Sequence, residues 1–392
     1  MAKFLPDFGW EPIVLCRDWT PENCGEYYDG SLGPSADRCR TVRVPHTGGF
    51  SRRLGPRLLN RVEDWLWPYL NPRLLLHAMN VRAETLLNAQ TVQAIWSSFK
   101  PGYTHAVASN LSRRYSIPWI ADFRDLPDQT YQNRAERLMV RAERHICAPA
   151  TALTATTPVL AAALSRRHRS PVHVIENGFD PDDYPQRPPR PGQYFVIAYF
   201  GILYPFRDPR PVFAAIDQLA HEGAIDLSMV RVRFYGTPRF QVEANANGFG
   251  CQNVVETPPR VWRAEMLELQ RDASVLLNLQ SAEAGGAVPS KLLEYLGAGR
   301  PILNVPGDGG PIDEVVRRTN SGVTARNETE IADALRAWFA EWRLRGVTSV
   351  AINEEAAMGY TRRGQAKLLA ELLNATCSIH QGRCGCTGET DA

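Results

Sequence analysis

Residues 181–194, PDDYPQRPPRPGQY, hold five prolines. Proline fixes φ and lacks an N–H, so this stretch neither continues a helix nor fits a central strand. It reads as a stiff, extended linker. It cuts the 392-residue chain into halves of similar size. A chain this long exceeds one ordinary core and calls for at least two domains. The sequence therefore predicts a first domain over 1–180, a linker over 181–194 and a second domain over 195–350. A closing helix over 351–375 and a disordered tail over 376–392 follow.

Both halves alternate strand-like and helix-like blocks. In the first, helix-like MAKFLPDFG leads into EPIVLC, a short buried strand. Residues 18–50 are rich in Gly, Pro, Asp and Cys and read as irregular. Helical signal runs over about 80–99, with THAVAS as a strand edge. IPWIADFRD is a strand ending in charges, and a long polar helix covers 130–147. TALTAT is a strand, and TPVLAAALSRR is a helix capped by Thr157 with Pro158 at its first position. VHVIENGFD ends in Asn-Gly turn chemistry. In the second half YFVIAYFG is a continuous apolar strand, as parallel sheets require. RPVFAAIDQLAHEG is a helix ended by Gly223. The alternation repeats through VRVRFYG, RAEMLELQRDA, SVLLNLQ, VPSKLLEYLGAG and RPILNVPG. Residues 328–344 and 354–375 read as closing helices. The fold class is α/β, with two doubly wound parallel sheets.

An apolar content of 44% and a charged content of 22% are those of a globular protein. The net charge of +2 is near neutral and points to no nucleic acid. No apolar run reaches a spanning length, and MAKFLPDFGWEP has no export-type apolar region. Eight cysteines in so long a chain fit a reduced, cytoplasmic setting better than a disulfide framework. In SRRLGPRLLNRVEDWLW, Leu54, Leu58, Val62 and Leu66 make one apolar helix face, with arginines on the others. Two readings stay open. The helix packs on a sheet with solvated arginines, or it lies on an anionic membrane surface.

The most informative stretch is GGAVPSKLLEYLGAGRPIL, from Gly285 to Leu303. Doubly wound sheets bind ligands beyond the carboxyl ends of their strands, where helices begin. Helix N-termini favour phosphate, and glycines let it approach the backbone. Ser290 and Lys291 fall in the first turn, where the helix dipole repels a lysine unless an anion is present. Lys291 and Glu294 share a face, and Glu294 could accept hydrogen bonds from the vicinal hydroxyls of a ribose. The plain alternative is an exposed Lys291–Glu294 pair worth roughly 0.2–0.5 kcal/mol. A second junction, AYFGILYPFRDPRPVF, ends its strand at Gly201 and carries Arg207 in the loop.

Four stretches together resemble the GT4-like retaining glycosyltransferases of GT-B fold. They are VPSKLLEYLGAGRPIL, FGILYPFRDPRPVFAAI, IENGFDPDDY and IPWIADFRD, and the likeness runs over about residues 1–375. The resemblance implies two Rossmann-like domains facing a cleft, with the donor on the second and the acceptor on the first. It implies that Glu294 holds the donor ribose as the second acid of an E-x7-E motif. Arg207 would contact the donor diphosphate, with Ser290, Lys291, Gly201, Gly285 and Gly286 around it. Arg124 and Asp125 fall where many members place a group near the reacting sugar. The implied reaction moves a sugar from a nucleotide-sugar donor to a glycan or lipid-linked acceptor with retention of configuration. No cofactor or metal is implied. A setting in polysaccharide or glycolipid assembly, at the inner face of the plasma membrane, would suit it.

The sequence departs from that pattern twice. The first acid of E-x7-E falls on Gly286, and Glu283 is the acid that could replace it. Met1 falls inside the first helix of the pattern, so the first strand and its Gly-rich loop are expected to be missing. These departures keep two alternatives in view: a non-catalytic nucleotide- or glycan-binding protein, and a sugar-nucleotide epimerase of the same architecture. His105 is expected to be structural rather than catalytic, and SRRHRS (165–170) a solvated helix end rather than a contact for acidic lipid. Cys377, His380, Cys384 and Cys386 have no common zinc spacing.

Overall fold

The computed structural model describes residues 1–18, 39–44, 73–99, 102–126, 136–280, 288–307 and 309–385. The chain forms two compact units. One is Met1–Glu176 with Gln365–Ala392, and the other is Asn177–Gly364.

In the first unit a 3₁₀ helix, Ala2–Phe8, contains Pro6 and ends at Gly9 in the left-handed region. Strands β1 (Ile13–Arg17) and β2 (Arg40–Val44) pair in parallel. A second parallel sheet has the order β3 (Ile95–Phe99), β4 (Trp119–Phe123), β5 (Ala152–Ala155) and β6 (Val172–Val174). The helices are α1 (Arg73–Ala89), α2 (Tyr103–Tyr115), α3 (Glu136–Cys147) and α4 (Pro158–Ser165). Successive residues of a strand point to opposite faces. Strand β4 accordingly sends Trp119, Ala121 and Phe123 into one apolar cluster and Ile120 into another. Both its faces are covered, which is why the run reads as continuously apolar. Thr157 caps α4 as expected, its Oγ1 accepting from the Leu160 amide at 3.1 Å.

Two expectations are corrected here. THAVAS is not a strand edge but the interior of α2. Tyr103, Val107 and Leu111, four apart, are buried on one face and set a helical period. The strand lies just upstream, at Ile95–Phe99, within the stretch expected to be helical.

The second unit holds β7 (Phe195–Phe200), α5 (Arg210–His221), β8 (Val230–Tyr235), α6 (Arg239–Ala246) and β9 (Val255–Glu256). It continues with α7 (Arg263–Asp272), β10 (Val275–Leu279), α8 (Ser290–Ala298), β11 (Ile302–Val305), α9 (Pro311–Thr319), β12 (Gly322–Thr324) and α10 (Glu328–Arg345). A short α11 (Glu354–Met358) follows. The sheet is parallel, in the order β12-β11-β10-β7-β8-β9. That order reverses between β7 and β10, the switch point at which doubly wound sheets open a crevice for ligand. Apolar clusters cover the sheet on both sides, one with Phe213 and Phe234 and the other with Leu276 and Leu292.

The last helix, α12 (Arg362–Gly385), contributes Ala366, Leu369, Ala370 and Leu373 to the first unit's cluster around Phe4 and Ile120. It runs on past residue 376, where the sequence expects a tail. Thr376 is itself buried, its Oγ1 donating to the Leu372 carbonyl at 2.7 Å. The basic amphipathic segment with Leu54, Leu58, Val62 and Leu66 lies outside the described residues. Among the described residues no helix is long and apolar enough to cross a membrane.

Candidate functional site

The switch point of the second unit gathers most of the residues singled out in its sequence. Strand β7 is buried apart from half-buried Val196 and leads into Gly201, whose φ of 125° is open to glycine but strained for other residues. The Gly201 amide donates to the Tyr235 carbonyl at 2.8 Å. Its own carbonyl accepts from Thr237 Oγ1 at 2.7 Å. This turn sends the chain out at the carboxyl end of β7 and brings Arg207 back to the Tyr199 hydroxyl. Arg207 Nη1 donates to the Tyr199 hydroxyl at 3.2 Å, and that hydroxyl donates to the Ile202 carbonyl at 2.9 Å.

Lys291 reaches the same tyrosine from α8. Its Nζ sits 3.9 Å from the Tyr199 ring centroid, is buried and has no hydrogen-bond partner among the described residues. Burial first, and the charge of Arg207 second, push the Lys291 amine well below its ordinary pKa. Arg207 Nε is also buried without a partner among the described residues. Neither cation forms an ion pair among the described residues. The residue before α8 is Pro289, which offers no side-chain cap, so the first-turn amides are also left without one. Ser290 is exposed there. Two basic side chains and an uncapped helix start converge here, and among the described residues neither side chain is paired with an acid.

Glu294, one turn along α8, faces a different group. Its Oε1 accepts from Arg263 Nη1 at 3.0 Å, and Arg263 Nη2 donates to Asp183 Oδ2 at 2.9 Å. The plain Lys291–Glu294 pair is therefore not what forms. The helix is fixed from behind by Tyr295, whose buried hydroxyl accepts from the Phe200 amide at 2.9 Å. Gly297 is needed for packing, since a Cβ there would lie 2.5 Å from Tyr184 Cε2 and 2.6 Å from Phe179 Cδ2. Beside Arg207, a groove of ≈ 370 Å³ is lined by Leu203, Tyr204, Phe206, Phe240, Gln241 and Asn245. The rings of Tyr204 and Phe206 lie parallel, 5.4 Å apart. The remaining candidates of this unit, Glu283, Gly285 and Gly286, lie outside the described residues.

In the first unit Arg124 and Asp125 follow β4. Arg124 Nε donates to Asp122 Oδ2 at 2.9 Å. Asp122 is fully buried and also accepts from Ser98 Oγ and Thr154 Oγ1, each at 2.7 Å. Asp125 is exposed. His105 is fully buried, its Nδ1 2.8 Å from Ser97 Oγ, which also accepts from Trp119 Nε1 at 2.8 Å. Burial, with a smaller contribution from His168, lowers its pKa to about 3, so the ring is neutral. That fits the structural reading. The SRRHRS segment is more engaged than a solvated helix end. Buried Glu143 pairs with His168 Nε2 at 2.8 Å and Arg167 Nη1 at 3.3 Å. Among the described residues no group of three or more His, Cys, Asp or Glu side chains could hold a metal ion. Cys386 lies outside them, and Cys377 donates to the Gln93 carbonyl.

The sequence reading missed Tyr199, Arg263, Asp183 and Asp122. Tyr199 was hidden in an apolar strand run. Asp183 stood in plain view in IENGFDPDDY, but its partner Arg263 is eighty positions away.

Residues 1–178 match the model of the glycosyl transferase 4-like domain. No curated protein matches the chain in sequence. The fold is shared with many solved structures. Sucrose-phosphate synthase from Thermosynechococcus elongatus aligns at a TM-score of 0.59 and 15% identity, over 96% of this chain and 92% of that one. HepE of Anabaena, solved in complex with UDP and glucose, aligns at 0.52 and 14%, over 96% and 99%. The trehalose 6-phosphate synthase of Burkholderia multivorans aligns at 0.53 and 13%, over 95% and 99%. The chain thus has the α/β architecture of the GT-B glycosyltransferases, built from Rossmann-like units.

Proposed function

We propose that this chain is a retaining glycosyltransferase that moves a sugar from a nucleotide-sugar donor to a glycan or lipid-linked acceptor. The observation that carries the reading is the convergence of Lys291 and Arg207, neither paired with an acid among the described residues, at the switch point of the second sheet. Keeping a buried ammonium unpaired is costly. A diphosphate would remove that cost and complete the hydrogen bonds of the α8 N-terminus.

In this reading the donor's diphosphate lies against Lys291, Arg207 and the first turn of α8. The ribose hydroxyls meet Glu294. The bond from the anomeric carbon to the diphosphate oxygen breaks as the bond to the acceptor oxygen forms on the same face. The leaving diphosphate gathers negative charge, and the two fixed cations are aimed at it, which lowers the barrier electrostatically. The acceptor proton passes to the leaving phosphate oxygen, so no strong protein base is required. Exposed Asp125 is the first-unit carboxylate we assign to the acceptor side, with Arg124 held beside it by Asp122. The HepE complex with UDP and glucose and the two synthases support a nucleotide-sugar donor, as does the domain match over residues 1–178.

The test is incubation of the purified chain with UDP-, GDP- and ADP-sugars, following release of the nucleoside diphosphate. Proton NMR of the first product reads its anomeric configuration. Release that falls at least a hundredfold in Arg207→Ala, with the donor's configuration retained, is the expected result. No release from any donor by a folded, nucleotide-binding chain would favour the non-catalytic alternative.

A further inference from the structure

We infer that Arg263 is a positioning residue that holds the Glu294 carboxylate ready for the ribose, and that Asp183 in turn holds Arg263. This rests on the donor-site reading of Glu294 given above. Nothing in the reaction itself calls for an arginine at this place, and it stands at the start of α7, in a different element from the phosphate-facing cations.

The geometry is a chain of three side chains from three separate elements. Asp183 Oδ2 accepts from Arg263 Nη2 at 2.9 Å, and Glu294 Oε1 accepts from Arg263 Nη1 at 3.0 Å. All three are partly buried, with side-chain exposures of 21%, 29% and 22%. The segment carrying Asp183 is itself locked to α8. Tyr184 donates its hydroxyl to the Glu294 carbonyl at 2.5 Å, and both Tyr184 and Phe179 pack on Gly297. Backbone and side chain of Glu294 are thus both tied to residues 179–184.

A glutamate has a long side chain and must lose its rotamer freedom to accept two vicinal hydroxyls together. A planar guanidinium fork engaging a carboxylate on each nitrogen removes that freedom in advance. Each carboxylate oxygen has about two acceptor sites. Arg263 uses one on Oε1, which leaves acceptor sites on both oxygens for the diol. Arg263 is not a counter-charge for the phosphates, because its charge is already shared by two carboxylates. Loss of its fork should therefore be felt by the ribose and not by the diphosphate.

Arg263→Lys separates the two effects. It keeps the charge but cannot span both carboxylates. Asp183→Asn is the second variant, and it loosens the fork from its other end. Calorimetric titrations with UDP, 2′-deoxy-UDP and inorganic pyrophosphate would be run on the full chain, each variant and Glu294→Gln, with thermal melts to verify folding. GDP or ADP and their deoxy forms replace the uridine pair if they bind more tightly. The wild-type chain should prefer the ribonucleotide by about tenfold. Arg263→Lys and Asp183→Asn should bring that preference to within about twofold of unity, with pyrophosphate affinity unchanged. A wild-type preference kept in Arg263→Lys but lost in Glu294→Gln would overturn the role of Arg263 and leave the ribose reading standing. A preference kept in Glu294→Gln, or no nucleotide binding at all, would overturn the ribose reading itself.

Discussion

Lys291 Nζ lies 3.9 Å from the centre of the Tyr199 ring and has no hydrogen-bond acceptor among the described residues. A cation over an aromatic face gains roughly 0.5–2 kcal/mol. That is less than the several kcal/mol lost when an ion leaves water. The residue is therefore a local strain on the ligand-free fold. Lys291→Met, which keeps the length and drops the charge, should stabilise the ligand-free chain by about 1 kcal/mol. The same change should weaken pyrophosphate binding by at least about tenfold, or ~1.4 kcal/mol. Thermal melts and titration on one preparation check both. A variant that melts lower and binds equally well would mean that the lysine serves packing.

The lowered pKa of Lys291 also couples binding to a proton. Burial and then Arg207 favour the neutral amine in the free chain, whereas a bound phosphate favours the ammonium. Above the free pKa, binding must draw in a proton, so affinity should fall as pH rises. Calorimetry in two buffers of different ionisation enthalpy would read this as net proton uptake. The uptake should vanish in Lys291→Met.

His105 should make the first unit sensitive to acid. Its pKa is lowered to about 3 in the fold, chiefly by burial and then by His168. The unfolded chain takes up this proton near pH 6.5, so its contribution is fully present above that pH and is lost as pH falls toward 3. Stability should drop by up to about 1.4 kcal/mol per pH unit in that window. Denaturant titrations at about pH 7 and pH 5 should show a shallower fall in His105→Asn. Equal slopes would contradict the burial account.

Asp122 and Asp125, both at the end of β4, should separate cleanly. Asp122→Ala removes the acceptor of Ser98 and Thr154 and breaks the buried pair with Arg124, and it should cost about 3–5 kcal/mol. Asp125 is exposed, and Asp125→Ala should change stability by under about 0.5 kcal/mol. Any loss of transfer in that variant would then belong to the acceptor side and not to folding. Urea unfolding of both variants is the check.

The fold was legible because parallel strands, buried on both faces, write themselves as unbroken apolar runs such as YFVIAYFG. The helix start at Lys291 was legible because a lysine opposes the helix dipole there. IWSSF and THAVAS were misread because short runs carry little periodicity, and burial of Tyr103, Val107 and Leu111 decides the helix. Arg263 could not be found by pattern. Its two partners lie 80 and 31 residues away, and only the fold brings them together. Glu294 could be placed on a face of α8, but not its partner, because side-chain direction was settled by Arg263 rather than by the helix.

The central claim is that Lys291 and Arg207 form the diphosphate site of a nucleotide-sugar donor. The most direct measurement is calorimetric titration of the chain with UDP, GDP and ADP, repeated on Arg207→Ala and Lys291→Met. The account predicts that one nucleotide binds in the micromolar range, at about −8 kcal/mol, and that each variant loses tenfold or more. A folded chain that binds none of the three, or binds one equally well in both variants, would contradict it.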